Sequence, residues 1–229
     1  MSPVIGKYLF DARTLPGDLV RSWRVDGVNG VVAQLRQRSL DRIAVRSHSL
    51  VIETELQDVR QIPPPKGVSI CRFKGDWTVL GDLVSQRMTP YLSSAARAGR
   101  WCLVARRGSE PVGIAWLAPR MDIRFDKFTL PLPADAVYLW MVQVVRTERT
   151  NYLGRALAST ALCWAQEMGW RRAWMIIDPE NRASLRAAAG VMPSSRVLGS
   201  VTRSKLLTRM HSDYECLPVP LPISKALAR

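Results

Sequence analysis

The stretch VVRTERTNYLGRAL, residues 144–157, decides the reading of this chain. Two valines close an apolar run, a polar turn follows, and a helical pattern begins at Gly154 with no linker. A helix start leaves its first N–H groups without partners and carries partial positive charge. Set directly behind a buried strand, those groups converge on one point and make a site for phosphate. Gly154 lets an anion approach the backbone where a side chain would collide with it. Arg149 and Arg155 add guanidinium groups that fork onto phosphate oxygens. Neither GxGxxG nor GxxxxGK[ST] occurs, which argues against a dinucleotide fold and a P-loop.

Outward from this corner the pattern is regular. AVYLWMVQVV (136–145) reads as a buried strand, and Leu157, Ala161, Leu162, Ala165 and Met168 line one side of a helix from 154 to 168. RAWMIID (172–178) is a further strand and NRASLRAAAG (181–190) a short helix. Upstream, VSICRF (68–73) alternates as a strand, and DWTVLGDLVSQRM (76–88) reads as a helix capped by Asp76. WCLVARR (101–107) and PVGIAWLAP (111–119) form a hairpin through GSE, and SVTRSKLL (200–207) is a last strand. The tail CLPVPLPISKALAR, with its three prolines, is expected to be irregular. This alternation predicts an α/β or α+β mixed sheet with helices packed on it, and the unit from 136 to 178 predicts a parallel crossover.

Residues 1–62 read as an N-terminal extension with a helix and a strand, SLVIETEL (49–56), free to pack on the main domain, before the stiff boundary IPPPKG (62–67). The main domain then runs over 63–210, and 211–229 is a proline-containing tail. Within the extension Val28, Val31, Val32 and Leu35 recur at helical spacing beside Arg36, Arg38 and Arg42. A basic amphipathic helix of this kind can lie on a membrane, but such a stripe is more often core with a solvated edge, and core is the expectation.

The chain has 229 residues, 47% of them hydrophobic, enough for one sizeable core. Its longest apolar stretch, 136–145, falls short of the roughly 20 residues that span a bilayer, and MSPVIGKYLF has no signal core. A cytoplasmic location is expected. Cys71, Cys102, Cys163 and Cys216 form no CxxC and read as free thiols. With two histidines and no ligand spacing, no metal is expected. The net charge of +14 favours anionic partners, but arginine outnumbers lysine 27 to 6 and is scattered rather than clustered, which suits arginine-rich coding bias more.

VQVVRTERTNYLGRAL (142–157) resembles the coenzyme A signature of the GNAT acyltransferases, LxVxPxxRGxGIGxxL, in ungapped register over sixteen residues. Val142 and Val144 fall on the strand positions, Arg149 on the first signature residue, and Leu153, Gly154 and Leu157 match as well. NRASL (181–185) resembles the family's Asn-x-x-Ser helix, and the order of elements over 67–207 agrees. SLVIETEL before a proline linker is similar to the preamble of some bacterial members. The chain departs from the pattern at Thr150 and Tyr152, which replace glycines, and at Arg146, which replaces proline. Tyr152 must therefore point away from the pyrophosphate. The tyrosine that many members use to protonate the thiolate falls at Ala188, and the family's GF at Met192 and Pro193.

The resemblance implies a GNAT-like fold, a central twisted mixed sheet with a splayed parallel strand pair. It implies acyl transfer, acetyl first, from acetyl-coenzyme A to a primary amine by direct attack on the thioester, with no metal. Pantetheine amides would pair with the strand edge at Val142, Gln143 and Val144. The turn from Thr150 through Asn151, Tyr152, Leu153 and Gly154 to Arg155, with Arg149, would grip the pyrophosphate. Asn181 would touch pantetheine or cap its helix. No acid or base is assigned: Asp178 and Glu180 stand beside the gap, and Tyr138, Tyr214 and His211 are possible replacements for the missing acid. The tryptophans suit core packing more than an aromatic acceptor pocket. The alternative is a catalytically degenerate, basic binding module for nucleic acid or an anionic surface, with nucleic acid less favoured. The acceptor and the oligomeric state stay open.

Overall fold

The structure, a computed structural model, describes residues 20, 23, 27–32, 44–75, 77–83, 89–122, 124–126, 129–206 and 209–227. Its centre is one eight-stranded sheet. In chain order the strands are β1 (Ala44–Glu55), β2 (Val68–Phe73), β3 (Trp101–Arg107), β4 (Glu110–Ala118), β5 (Ala136–Val144), β6 (Arg172–Ile177), β7 (Arg196–Leu206) and β8 (Arg209–Pro222). They lie side by side as β2-β3-β4-β5-β6-β1-β7-β8. Every pairing is antiparallel except β5 with β6. The apolar run of β5 suits a strand covered on both faces, and its first four residues are buried.

The helices are α1 (Thr89–Arg97), α2 (Leu153–Glu167), α3 (Arg182–Val191) and α4 (Ile223–Leu227). In α2, Leu153, Leu157, Ala161, Leu162 and Ala165 recur at helical spacing and are fully buried. They join Leu103, Ala115, Leu117, Val137 and Leu139 of the sheet in the largest core, to which α3 adds Leu185, Ala188 and Val191. The opposite face carries a second core of Trp77, Leu80, Leu83, Leu92, Ala95, Ile114, Trp116 and Phe125.

Four expectations are corrected. The segment read as a helix over 76–88 is a 3-10 turn over Trp77–Leu83, and the α-helix starts only at Thr89; Asp76 and 84–88 lie outside the described residues. Pro90 fits the first helical turn because no N–H is needed there. The tail is not irregular: residues 209–222 form β8 and 223–227 form α4. Pro218 and Pro220 fall where the β7–β8 register breaks, between Cys216 and Leu221, so no ladder bond is asked of them, and Pro222 ends the edge strand. The strand of the extension, observed at Ala44–Glu55, lies inside the sheet between β6 and β7, so the prolines after it connect parts of one sheet. Residues 27–32 are helical, but Val28 and Val32 are 59% and 56% exposed, while Gly27 and Gly30 are buried. The glycines face inward because they have no side chain to hold the backbone away; Leu35 lies outside the described residues.

Candidate functional site

Strands β5 and β6 are paired over three positions only, Ala136↔Arg172, Val137↔Ala173 and Tyr138↔Trp174. Their separation has a local cause. Opposite β4, Leu117 faces Leu139 and Trp116 faces Met141, so Trp140 is an extra residue in β5. A bulge of this kind bends the strand that carries it. From Leu139 to Val144 the β5 edge on the β6 side has no strand partner among the described residues. A cleft of about 570 Å³ opens there, between Leu139–Val144 and Met175–Asp178. Gly154 and Ala158 of α2 and Ala183, Ser184, Ala187 and Ala188 of α3 complete its walls.

The turn at the mouth of the cleft is a 3-10 segment over Arg146–Asn151, followed by Tyr152 with φ 57° and ψ 11°. Tyr152 is the one non-glycine residue of positive φ among those described. That left-handed step lets the chain turn from strand into helix at once, and the first N–H groups of α2 are left without acceptors inside the helix. The Tyr152 ring is 65% exposed and lies under the Arg155 guanidinium, 5.2 Å from its centroid. Gly154 lines the cleft, and a Cβ built on it would meet nothing nearer than a Val144 methyl at 3.7 Å. Packing therefore does not demand glycine here.

Sequence reasoning missed the residue that anchors this turn. Glu148 is buried, and Arg107 of β3 grips it in a fork of 2.7 and 2.9 Å. Asn151 Nδ2 donates to the same carboxylate at 3.2 Å, and Arg107 Nη1 donates to the Lys66 carbonyl at 2.9 Å. The Arg107 hydrogen bonds hold the Glu148 carboxyl below the usual glutamate range. The available signal was one acidic residue in an arginine-rich turn, which gives no partner.

A parallel pair that splays at a bulge, beside a helix start and an unobstructed glycine, is the arrangement that the family resemblance implies. A family model described as the acetyltransferase (GNAT) family matches residues 73–189. The chain belongs to this family. No curated protein matches the chain. Among solved structures, a GCN5-related N-acetyltransferase from Kribbella flavida is 17% identical over 66% of this chain and 54% of that one, with a TM-score of 0.40. A Drosophila protein is 15% identical over 82% and 58%, with a TM-score of 0.50. A glucosamine N-acetyltransferase region of a fungal multi-domain β-N-acetylglucosaminidase is 14% identical over 82% and 23%, with a TM-score of 0.50. The last two likenesses are of fold, and this chain spans less than two thirds of each of the three proteins.

In this GNAT chain Val142, Gln143, Val144, Arg149, Gly154 and Asn181 all line the cleft. Arg149 also donates from Nε to the Val144 carbonyl at 3.2 Å. Asn181 caps α3, its Oδ1 accepting from the Ser184 N–H at 3.0 Å. Thr150, Asn151, Tyr152, Leu153 and Arg155 are not among the lining residues. Leu153 is core, Asn151 serves Glu148, Arg155 lies against Gly190 as well as Tyr152, and the Arg155 N–H donates to the Tyr152 carbonyl at 3.0 Å. The side chain of Thr150 lies outside the described residues.

The acid and base candidates part company. Asp178 lines the cleft, but its Oδ1 accepts from the Glu180 N–H at 2.8 Å, and Glu180 faces away into a separate pocket. Tyr138 is buried where the strands are still paired, and burial raises its phenol strongly. Tyr214 sits on edge strand β8, 40% exposed. Neither tyrosine lines the cleft, and the His211 side chain lies outside the described residues. Ala188, at the position of the family tyrosine, does line it.

The side of Trp140 away from the cleft is closed by charge and rings. Arg100 and Asp126 form a buried bidentate pair at 2.9 and 2.5 Å. The Arg100 guanidinium lies 4.7 Å from the Trp140 ring and 4.8 Å from that of Phe125. Tyr91 packs on both rings and donates its hydroxyl to the Phe125 carbonyl; burial, then Asp126, pushes its phenol up to about 12. Trp140 also meets Trp116, which stacks on Trp77. The tryptophans here are mostly core, as composition suggested, but Trp140 belongs to both core and cleft.

Proposed function

We propose that this GNAT chain transfers an acyl group, acetyl first, from an acyl-coenzyme A to a primary amine. The amine nitrogen bonds to the thioester carbonyl carbon, the carbon–sulfur bond breaks, and the amine proton leaves to solvent or the thiolate. The observation that supports this reading is the cleft between β5 and β6, open along Leu139–Val144 and ending at Gly154. The β5 edge offers backbone groups to the pantetheine amides, as an added strand would. A β5 N–H beside the bulge is suited to hold the thioester oxygen as charge develops on it. In this reading the amides from Thr150 to Gly154, with Arg149, hold the pyrophosphate and Asn181 flanks the pantetheine; the turn ahead of α2 and the lining by Arg149, Gly154 and Asn181 support it. With Ala188 in the cleft, rate comes from proximity and the oxyanion contact, and water takes the proton.

Thermal melting with and without acetyl-coenzyme A tests the first step; the expected result is an upward shift that grows with ligand concentration. A panel of primary amines with a free-thiol readout then finds the acceptor. Ala188 and Tyr152 favour a second reading, a non-catalytic basic module for nucleic acid or an anionic surface. Salt-dependent retention of DNA with no shift from acetyl-coenzyme A would select it and reject the transferase.

A further inference from the structure

The cleft is lined from both faces of the sheet. Leu139, Met175, Ala188 and Met192 belong to the core under α2 and α3. Trp140 and Ile176 line the same cleft but pack with the core on the opposite face, beside Tyr138 and Trp174. Alternation along β5 and β6 puts them there, two residues beyond the last paired positions, Tyr138 and Trp174. The cleft thus reaches both faces of the sheet where the strands part. Its polar lining, Gln143, Arg149, Asp178, Asn181 and Ser184, lies toward the outer end. At the inner end Leu139, Trp140, Met141, Met175 and Ile176 are all apolar, and Trp140, Met141 and Ile176 are only half-buried.

We infer that the acceptor is a primary amine borne on an apolar body, which lies against Trp140, Met141 and Ile176. The inference rests on the transferase reading and names its acceptor class. In that reading the thioester reaches the bulge from the α2–α3 side, so the amine meets it from the side of Trp140 and Ile176. The charges described on that side are engaged. Arg100 pairs with Asp126, and the Glu53 carboxylate accepts from the Trp174 indole N–H at 2.8 Å and lies 3.4 Å from Arg172. The Tyr91 hydroxyl is given to the Phe125 carbonyl. A polyamine needs carboxylates; the one acidic side chain among the described lining residues, Asp178, stands at the outer end with its Oδ1 on the Glu180 N–H. An amino sugar brings hydroxyls that the apolar inner end leaves unpaired, at a cost in affinity. An apolar body gains by leaving water there. The same surroundings stand in for a base, because low polarity favours the neutral amine over the ammonium, and only the neutral form attacks. Its nitrogen bonds to the acyl carbon, the carbon–sulfur bond breaks, and the amine proton passes by solvent to the thiolate, leaving an amide and a free thiol.

The test compares 2-phenylethylamine, glucosamine and spermidine as acceptors for the full chain with acetyl-coenzyme A, read by free thiol. The kcat/KM for 2-phenylethylamine is expected to exceed either of the others by about thirtyfold or more. Ile176→Asn should cut that preference by about tenfold and change the KM for acetyl-coenzyme A by less than about twofold. Lost stability alone would not move a preference between acceptors; if Ile176→Asn melts early, Met141→Gln decides. Thermal melting with coenzyme A plus each amine reads binding without turnover, and 2-phenylethylamine is expected to add the largest upward shift. A higher kcat/KM for glucosamine or spermidine overturns the inference and leaves the transferase standing. So does an unchanged preference in both variants, or the lack of any added shift from 2-phenylethylamine where coenzyme A itself shifts the melt. No shift from acetyl-coenzyme A rejects the transferase, and the inference falls with it.

Discussion

The two sides of Trp140 are built on opposite principles. On the cleft side the walls are backbone and small residues: the open edge of β5, Gly154, Ala158, Ala183, Ala187 and Ala188. On the other side, rings of Tyr91, Phe125 and Trp116 and the buried Arg100–Asp126 pair fill the space. The first side leaves hydrogen-bonding groups and volume for a ligand. The second pairs its charges with each other and leaves, among the described residues, only the buried Trp116 indole N–H without an acceptor. The contrast teaches that one bulged residue can be packed by rings and an ion pair behind it while the strand edge in front stays unpaired.

Breaking the filled side should give the largest effect. Arg100→Met leaves the buried Asp126 carboxylate without its counter-charge and with only the Asp122 N–H to bond, and stability should fall by about 3–5 kcal/mol. Urea unfolding measures this, and a loss under about 1 kcal/mol would show that the pair does not brace the bulge. On the open side, Gly154→Val should lower acetyl-coenzyme A affinity by about a hundredfold while leaving the melting temperature of the ligand-free chain near the parent's, since only a Val144 methyl is close. Equal affinity would remove the pyrophosphate from this corner.

A subtler break is Glu148→Gln, which loosens the turn without touching the cleft and should weaken acetyl-coenzyme A binding by roughly tenfold. Because Arg107 lowers the folded carboxyl below its unfolded value, the Glu148 contribution is complete above about pH 4.3 and is lost as pH falls through the folded value. Acid titration of stability should therefore be shallower in Glu148→Gln than in the parent. The smallest effect is expected at Tyr152→Gly. Relief of the left-handed strain and the greater freedom of the unfolded chain nearly cancel, so stability should stay within about 1 kcal/mol. A much larger loss in a melt would mean that the exposed ring has work beyond its stack with Arg155.

Much of the fold was legible because its signals are local. The strands at 68–73 and 101–107 follow from alternation and composition, and the corner at 144–157 follows from a glycine, a polar turn and an apolar run in register. The candidate site was legible where backbone and glycine make it, at Val142–Val144, Gly154 and Asn181. It was not legible where long side chains choose partners. Arg155 reads as an anion ligand but lies over Tyr152, and Glu148 reads as a surface charge but is the anchor of the turn.

By itself, then, the order of residues determined the strand–turn–helix corner and the mixed sheet, because helix ends, alternation and glycine act over a few neighbours. Only the tertiary structure decided that β1 lies between β6 and β7, that the proline-rich tail closes the sheet as β8, that Arg107 reaches Glu148 across 41 residues, and that Val28 and Val32 face outward. Strand partners and side-chain contacts are chosen by burial and charge between segments distant along the chain, and one-dimensional spacing carries no record of that choice.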